Sequence, residues 1–215
     1  MYKSIPATIF SLLLILSLFL FLTGCGEDPP IPSLEITNKS GLTTTLNGRW
    51  AADCRVIDSE WEKTTYAFAN TDLYLYTDKW LTTTSCGGGV ELEIRAQGTV
   101  ALGEEVVAAF GSNNVNATRM KITWESLTAT PKTSAVAYLL NRLASYGYLD
   151  WTEGKAQDIL LVDLDGNEED KTLRNDLMMI DDGVSPIKMY LGDQGTIGRD
   201  GYPSQMDVSS AYEAQ

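Results

Sequence analysis

Histidine is absent from all 215 residues of the chain. That absence removes the Ser-His-Asp triad, the Cys-His pair and His-ligated zinc together, because each needs an imidazole near neutral pH. Carboxylate chemistry would survive, and Glu60 with Glu62, Glu104 with Glu105 and Asp181 with Asp182 are acidic neighbours. Neighbouring carboxylates of this kind usually mark solvated turns, and nothing in the sequence sets a second pair against them. A non-enzymatic protein without a cofactor is therefore expected. Basic side chains are scarce as well: 16 Lys and Arg stand against 29 Asp and Glu, a net of −13. Phosphate backbones are bound by cations, so no nucleic-acid partner is expected. The same acidity argues against docking on anionic lipid by charge alone. Long apolar runs are rare too. The chain has one, over residues 9–22, preceded by Lys3 and interrupted only by Ser11 and Ser17. It falls short of the about 20 residues that cross a bilayer, and its layout is that of a signal peptide over residues 1–24.

The end of that run carries a specific motif. Leu22, Thr23, Gly24 and Cys25 resemble the lipobox of bacterial lipoproteins: an aliphatic residue, a small residue, Gly or Ala, then Cys. The resemblance implies a diacylglycerol on the Cys25 sulfur, cleavage before Cys25 and acylation of the new amino group (palmitate or a similar chain). Two or three acyl chains, at about 0.8 kcal/mol per buried methylene, make a stable membrane anchor. Gly26 stands where an Asp would favour retention in the inner membrane, so the expected location is the outer membrane, lipid-anchored. The alternative is the outer face of the cytoplasmic membrane in a host with no outer one. Without residues 1–24 the mature chain has 191 residues, with 15 basic and 29 acidic side chains, a net of −14.

Cysteine is nearly as rare as histidine, with three in the chain. If Cys25 carries lipid in an oxidising compartment, Cys54 and Cys86 are left as the pair able to form a disulfide, the alternative being two free thiols. After Cys25, residues 26–45 contain Pro29, Pro30 and Pro32 and then a Thr-rich stretch with no apolar periodicity, which reads as a flexible tether over 25–45.

From residue 46 the dominant period is two. Val90, Leu92 and Ile94 alternate with Glu91, Glu93 and Arg95, and Met120, Ile122 and Trp124 alternate with Lys121, Thr123 and Glu125. Half-buried antiparallel strands have this pattern. Further strands are expected over 46–54, 64–69, 73–77, 98–102, 106–110, 158–164, 176–180 and 186–191, joined by Gly, Asn and Asp turns. One segment has another period: after Pro131, Thr133 or Ser134 can cap a helix with Val136, Leu139, Leu140 and Leu143 on one face, ending near Gly147. Such a helix could pack on the sheet, close one end of it, or simply connect strands. The run Asp163, Asp165, Gly166, Asn167, Glu168, Glu169 and Asp170 invites a calcium reading. Its spacing departs from the EF-hand loop, because the glycine is fourth and Arg174 takes the twelfth place, so a solvated turn and no metal are expected. Beyond residue 208 the tail, 209–215, is expected to fray.

With strands in place, Gly48, Arg49 and Trp50 resemble the Gly-x-Trp on the first strand of lipocalins and related calycin barrels. The segment 46–100, with Cys54, Tyr66, Phe68, Tyr76, Asp78 and Cys86, resembles lipocalin-like bacterial lipoproteins. More faintly it resembles the extracellular domain of the adenomatosis-polyposis-coli down-regulated family. Thr71 and Asp72 lie too soon after Trp50 to be the lipocalin Thr-Asp motif, and Arg199 is the candidate for the late-strand arginine that packs on the tryptophan. The resemblance implies a mainly β fold over residues 46–208, a single antiparallel lipocalin-like barrel with one helix. Its implied function is binding of a small apolar or amphipathic ligand inside the barrel. The candidate lining is Trp50, Phe68, Leu92, Ile94, Ile122 and Trp124, each of which would serve equally as core. The alternative is a filled barrel that meets an envelope protein partner through its loops, as an inhibitor, adhesin or assembly factor does.

Overall fold

Alternating burial along the strands builds the molecule. The computed structural model describes residues 34–57, 59–83 and 85–215, so the signal peptide, Cys25 and the first part of the expected tether lie outside the described residues. In chain order the elements are β1 (Glu35–Thr37), β2 (Thr43–Thr45), β3 (Gly48–Ala52), β4 (Arg55–Ile57), β5 (Glu60–Ala69), β6 (Asp72–Trp80), β7 (Leu92–Phe110), β8 (Asn113–Pro131), α1 (Ser134–Leu143), β9 (Gln157–Asp158), β10 (Leu173–Asp181), β11 (Lys188–Gly192) and β12 (Met206–Ala214). Strands β3, β5, β6, β7, β8, β10, β11 and β12 pair antiparallel in that order, and β12 returns to β3 through Tyr212 opposite Ala52. The result is a closed eight-stranded barrel, as expected. Closure leaves no long sheet edge unpaired.

Inward positions recur every second residue. On β5 they are Glu62, Thr64, Tyr66 and Phe68, on β6 Leu73 and Thr77, and the register places Phe68 opposite Leu73 and Thr64 opposite Thr77. On β8, Met120, Ile122 and Trp124 join Trp50, Phe68, Val100, Met178, Ile180 and Met189 in the main core. An extra residue in β8 keeps the far end of this face pointing inward: Gln97 faces Ser126 while Gly98 faces Trp124, so Glu125 bulges out. A Cβ on Gly98 would lie 2.2 Å from the Thr123 carbonyl oxygen, so the close approach demands glycine there.

Three further pieces close the barrel's surroundings. At one end the β1–β2 hairpin buries Leu34, Ile36 and Leu46 in the main core, and the Lys39 amide donates to the Ile180 carbonyl at 2.9 Å. This corrects the expected tether over 25–45, whose latter half is packed. The period-two pair Leu34 and Ile36 is too short a signal to stand out beside the prolines. At the other end α1 lies over Leu92 and Ala129, capped by the Thr133 hydroxyl, which accepts from the Val136 amide at 3.2 Å. Its buried residues are Val136, Ala137 and Leu140, whereas Leu143, in the last turn before the left-handed cap at Ala144, is exposed. The distal half of the β7–β8 hairpin leaves the barrel after a second bulge, between Leu102 and Glu105, and packs Ala108 and Ala117 against the outer face of β10 at Leu177 and Met179. That second layer explains why β10 is buried on both faces.

Two more expectations are corrected. Residues 209–215, expected to fray, belong largely to the closing strand β12, where Tyr212 is buried against Tyr66 and Ala214 pairs with Trp50. Within 158–164 the strand stops at Asp158, whose side chain accepts the Leu160 amide at 2.9 Å. The acidic segment beyond it is a turn, with Val162 bridging Glu168 and the Asp163 carboxylate accepting from the Asn167 amide and side chain.

Candidate functional site

The end of the barrel beside α1 is only half covered. There β4, β5, β6, β10, β11 and β12 surround a cavity of about 750 Å³ that opens to solvent. Its inner wall carries Glu62, Thr64, Tyr66, Leu75, Thr77, Arg174, Leu191 and Tyr212, all side chains that the two-residue period turns inward. Arg55 and Ile57 enter from β4, which is held over the opening by pairing with the start of β5. Asp193, Gln194, Gly195 and Asp207 form the outer part, and buried Ser210 completes the lining.

Two guanidinium groups dominate it. Arg174 Nη2 makes a 2.6 Å ionic contact with Asp176 Oδ2, and the Asp176 side chain is fully buried while 31% of the Arg174 side chain stays open, facing the cavity. Asp176 Oδ1 accepts from the Leu177 amide at 2.8 Å and the Gly192 amide at 2.9 Å, which fixes the carboxylate and through it the arginine. Arg55 donates to Tyr212 Oη at 3.2 Å and to Glu62 Oε1 at 3.4 Å, and lies 5.6 Å from the Tyr212 ring centroid. Thr64 donates to Glu62 at 3.3 Å and shares a 3.2 Å bond with Thr77. Tyr66 and Tyr212 meet edge to face at 5.1 Å.

The electrostatics follow from this crowding. Burial pushes the Tyr66 and Tyr212 hydroxyls above the usual phenol range, so both are neutral donors at physiological pH. Burial works against the charge on Arg174, but the Asp176 carboxylate beside it helps to outweigh that and raise its pKa; Glu62 and the hydrogen bond to Tyr212 act the same way on Arg55. Burial also pushes the Asp176 carboxyl up, opposed by Arg174 and the two backbone amides. Both guanidiniums are thus permanent cations, yet Arg55 Nε, Arg55 Nη1 and Arg174 Nε are buried with no hydrogen-bond partner among the described residues. Asp176 Oδ2 is likewise buried without a hydrogen-bond partner, while 31% of the Arg174 side chain and 21% of the Arg55 side chain stay open in the cavity lining and offer cationic donors to acceptor oxygens.

A second cavity of about 330 Å³ shares Leu75 and Arg174 with the first and is lined by Trp124, Leu127 and Leu173 under the loop carrying Glu169, Asp170 and Lys171. Trp124 is the one residue of the expected lining that borders either cavity. Trp50, Phe68 and Ile122 are packed in the main core, and Leu92 with half-buried Ile94 lies in the cluster beneath α1. Arg199 is exposed in the loop after β11. Of the arginines, tyrosines and threonines of the opening, the sequence singled out Tyr66 alone, and as part of the lipocalin-like segment, not of a site. The available signal was the polar inward face of Glu62, Thr64 and Tyr66, which period-two reading assigns to the interior only once the face of Phe68 is known.

Cys54 and Cys86 are joined as expected, with Cα atoms 5.9 Å apart. The bond ties the residue before Arg55 to the loop between β6 and β7. No protein-family model matches the chain, and no curated protein matches it at a significant level.

Proposed function

We propose that the chain is an exported lipoprotein, acylated at Cys25, that binds a small amphipathic ligand without catalysing its conversion. The observation that carries this reading is the half-open cavity at one end of a closed barrel, where guanidinium and hydroxyl groups stand beside Ile57, Leu75 and Leu191. A concave site with a few convergent polar groups on an apolar floor is the general form of a small-molecule site. The anchor rests on Leu22 to Cys25, and Gly26 favours the outer membrane over the inner. The nine residues from Cys25 to Ser33 reach at most about 30 Å when extended, so the barrel works close to the membrane surface. The test uses the mature chain carrying Cys25→Ser. Native mass spectrometry and solvent extraction should recover a small molecule near one per chain, and an empty protein that also ignores apolar and polar probes would overturn the reading. For the anchor, metabolic labelling with an alkyne fatty acid should mark the native chain and not the Cys25→Ser variant.

A protein-binding role has one observation in its favour. Tyr138, Leu143 and Leu149 stand exposed on and after α1, and aromatic and aliphatic side chains left in water are common at interfaces. A stoichiometric envelope protein recovered with the native chain, and lost on Tyr138→Asp, would establish it.

A further inference from the structure

We propose that the open end of the barrel takes a small zwitterion of amino-acid or short-peptide type, its carboxylate on Arg55 and Arg174 and its ammonium toward Asp193 and Asp207. The inference rests on the reading that this end is a ligand site, and names the ligand's class.

Each part of the ligand answers an observation. The carboxylate answers the open part of the two guanidinium side chains: 31% of the Arg174 side chain and 21% of the Arg55 side chain stay exposed in the lining of the cavity, and a planar carboxylate matches the fork of a guanidinium. The two arginines are held before any ligand arrives, Arg174 by Asp176 and Arg55 by Glu62 and Tyr212, so little side-chain freedom is lost on binding. Charge balance then selects against a plain anion. Inside, Arg55 and Arg174 are matched by Glu62 and Asp176, and Lys79, 3.8 Å from Glu62, is matched by Glu60 at 2.8 Å, so among the described residues the inner wall carries no net positive charge to draw an anion in. At the outer part, Asp193 and Asp207 add two carboxylates, which repel an anion and attract an ammonium. Both keep fixed positions: Asp193 accepts from the Gly195 amide at 2.8 Å, and Asp207 from the Ser209 amide at 2.9 Å and its hydroxyl at 2.6 Å. A ligand that is positive at one end and negative at the other is the one this arrangement attracts at both ends. Ile57, Leu75 and Leu191 leave apolar wall for a side chain between the two charges.

Isothermal calorimetry on the mature Cys25→Ser chain tests this with the twenty common amino acids, dialanine and trialanine. N-acetyl-dialanine keeps only the carboxylate, dialanine amide keeps only the ammonium, and decanoate serves as a plain amphipathic anion. At least one zwitterion should bind, and blocking either charge of dialanine or trialanine, where these bind, should weaken it by about tenfold or more. Arg174→Gln and Arg55→Lys, each confirmed as folded by circular dichroism, should lose about tenfold in affinity for that zwitterion. Asp207→Asn should narrow the gap between the zwitterion and its N-acetylated form. Failure of every zwitterion, equal binding of blocked and free forms, or full affinity in Arg174→Gln would overturn the inference. Binding of decanoate alone would overturn it while leaving the ligand site standing, whereas binding of nothing in the panel would remove both.

Discussion

Buried charge decides the chemistry at the level of single residues. Asp176 is fully buried and shares its two oxygens between backbone amides and Arg174. Asp176→Ala should destabilise the fold by about 3 kcal/mol, because it strips two buried amides and a guanidinium of their acceptor. Asp176→Asn, which keeps an oxygen for the Leu177 and Gly192 amides, should cost about half as much, and urea unfolding of the two variants separates these contributions. Glu91 gives the opposite protonation case. Burial pushes its carboxyl up, but the Thr82 hydroxyl and the Thr82 and Leu81 amides outweigh that and hold its pKa below the ordinary glutamate value. A depressed acid contributes stability that is present above the unfolded-state pKa and lost as pH falls through the folded one. Glu91→Gln should therefore cost about 2 kcal/mol near pH 7, and the difference should shrink as pH falls below the ordinary glutamate range, as read from urea midpoints across that fall. Neither role was legible in the sequence. Glu91 sat on the polar face of an alternating run, and nothing in the run says that the loop at residues 81–82 folds back onto that carboxylate.

Elements were more legible than residues, and their period more so than their limits. The alternation of Met120, Ile122 and Trp124 marks β8 directly, and the capped helical period after Pro131 marks α1. What the period could not carry was length. Three expected strands, at 90–94, 98–102 and 106–110, fall in one nineteen-residue strand, β7, which starts at Leu92 and leaves Val90 and Glu91 outside it, because the glycines that look like turns are bulges and close approaches instead. Gly98 shows the cost: a methyl group there would collide with the Thr123 carbonyl, which belongs to backbone that cannot step aside. Gly98→Ala should therefore destabilise the barrel by about 2 kcal/mol or more, far beyond a surface Gly→Ala, with thermal unfolding as the measure. The doubly buried β10 had its own signal in the unbroken Leu177, Met178, Met179, Ile180. A run apolar on both faces calls for cover on both, and the distal β7–β8 hairpin supplies it.

At the scale of the whole molecule, a closed barrel has two ends, and this chain treats them differently. The β1–β2 hairpin plugs one with Leu34, Ile36 and Leu46, while the other keeps its cavity half open beneath Arg55. The disulfide belongs to the open end, since Cys54 is bonded to Cys86 and directly precedes Arg55. None of the eight barrel pairings runs through either cysteine, so replacing both should leave the barrel intact. The loss should be of two kinds. The cross-link closes 32 residues of chain, and removing it frees the unfolded state, lowering stability by about 3 kcal/mol. In the native state β4 keeps only its three-residue pairing with β5, so Arg55 is held less firmly over the opening. A Cys54→Ser, Cys86→Ser variant should therefore keep its β circular-dichroism spectrum, unfold at lower urea, and bind any ligand of the cavity more weakly than the native chain. Arg174, anchored on β10 by Asp176, is untouched by the change, so affinity should fall without vanishing. Unchanged affinity alongside lowered stability would show instead that β5 alone positions Arg55.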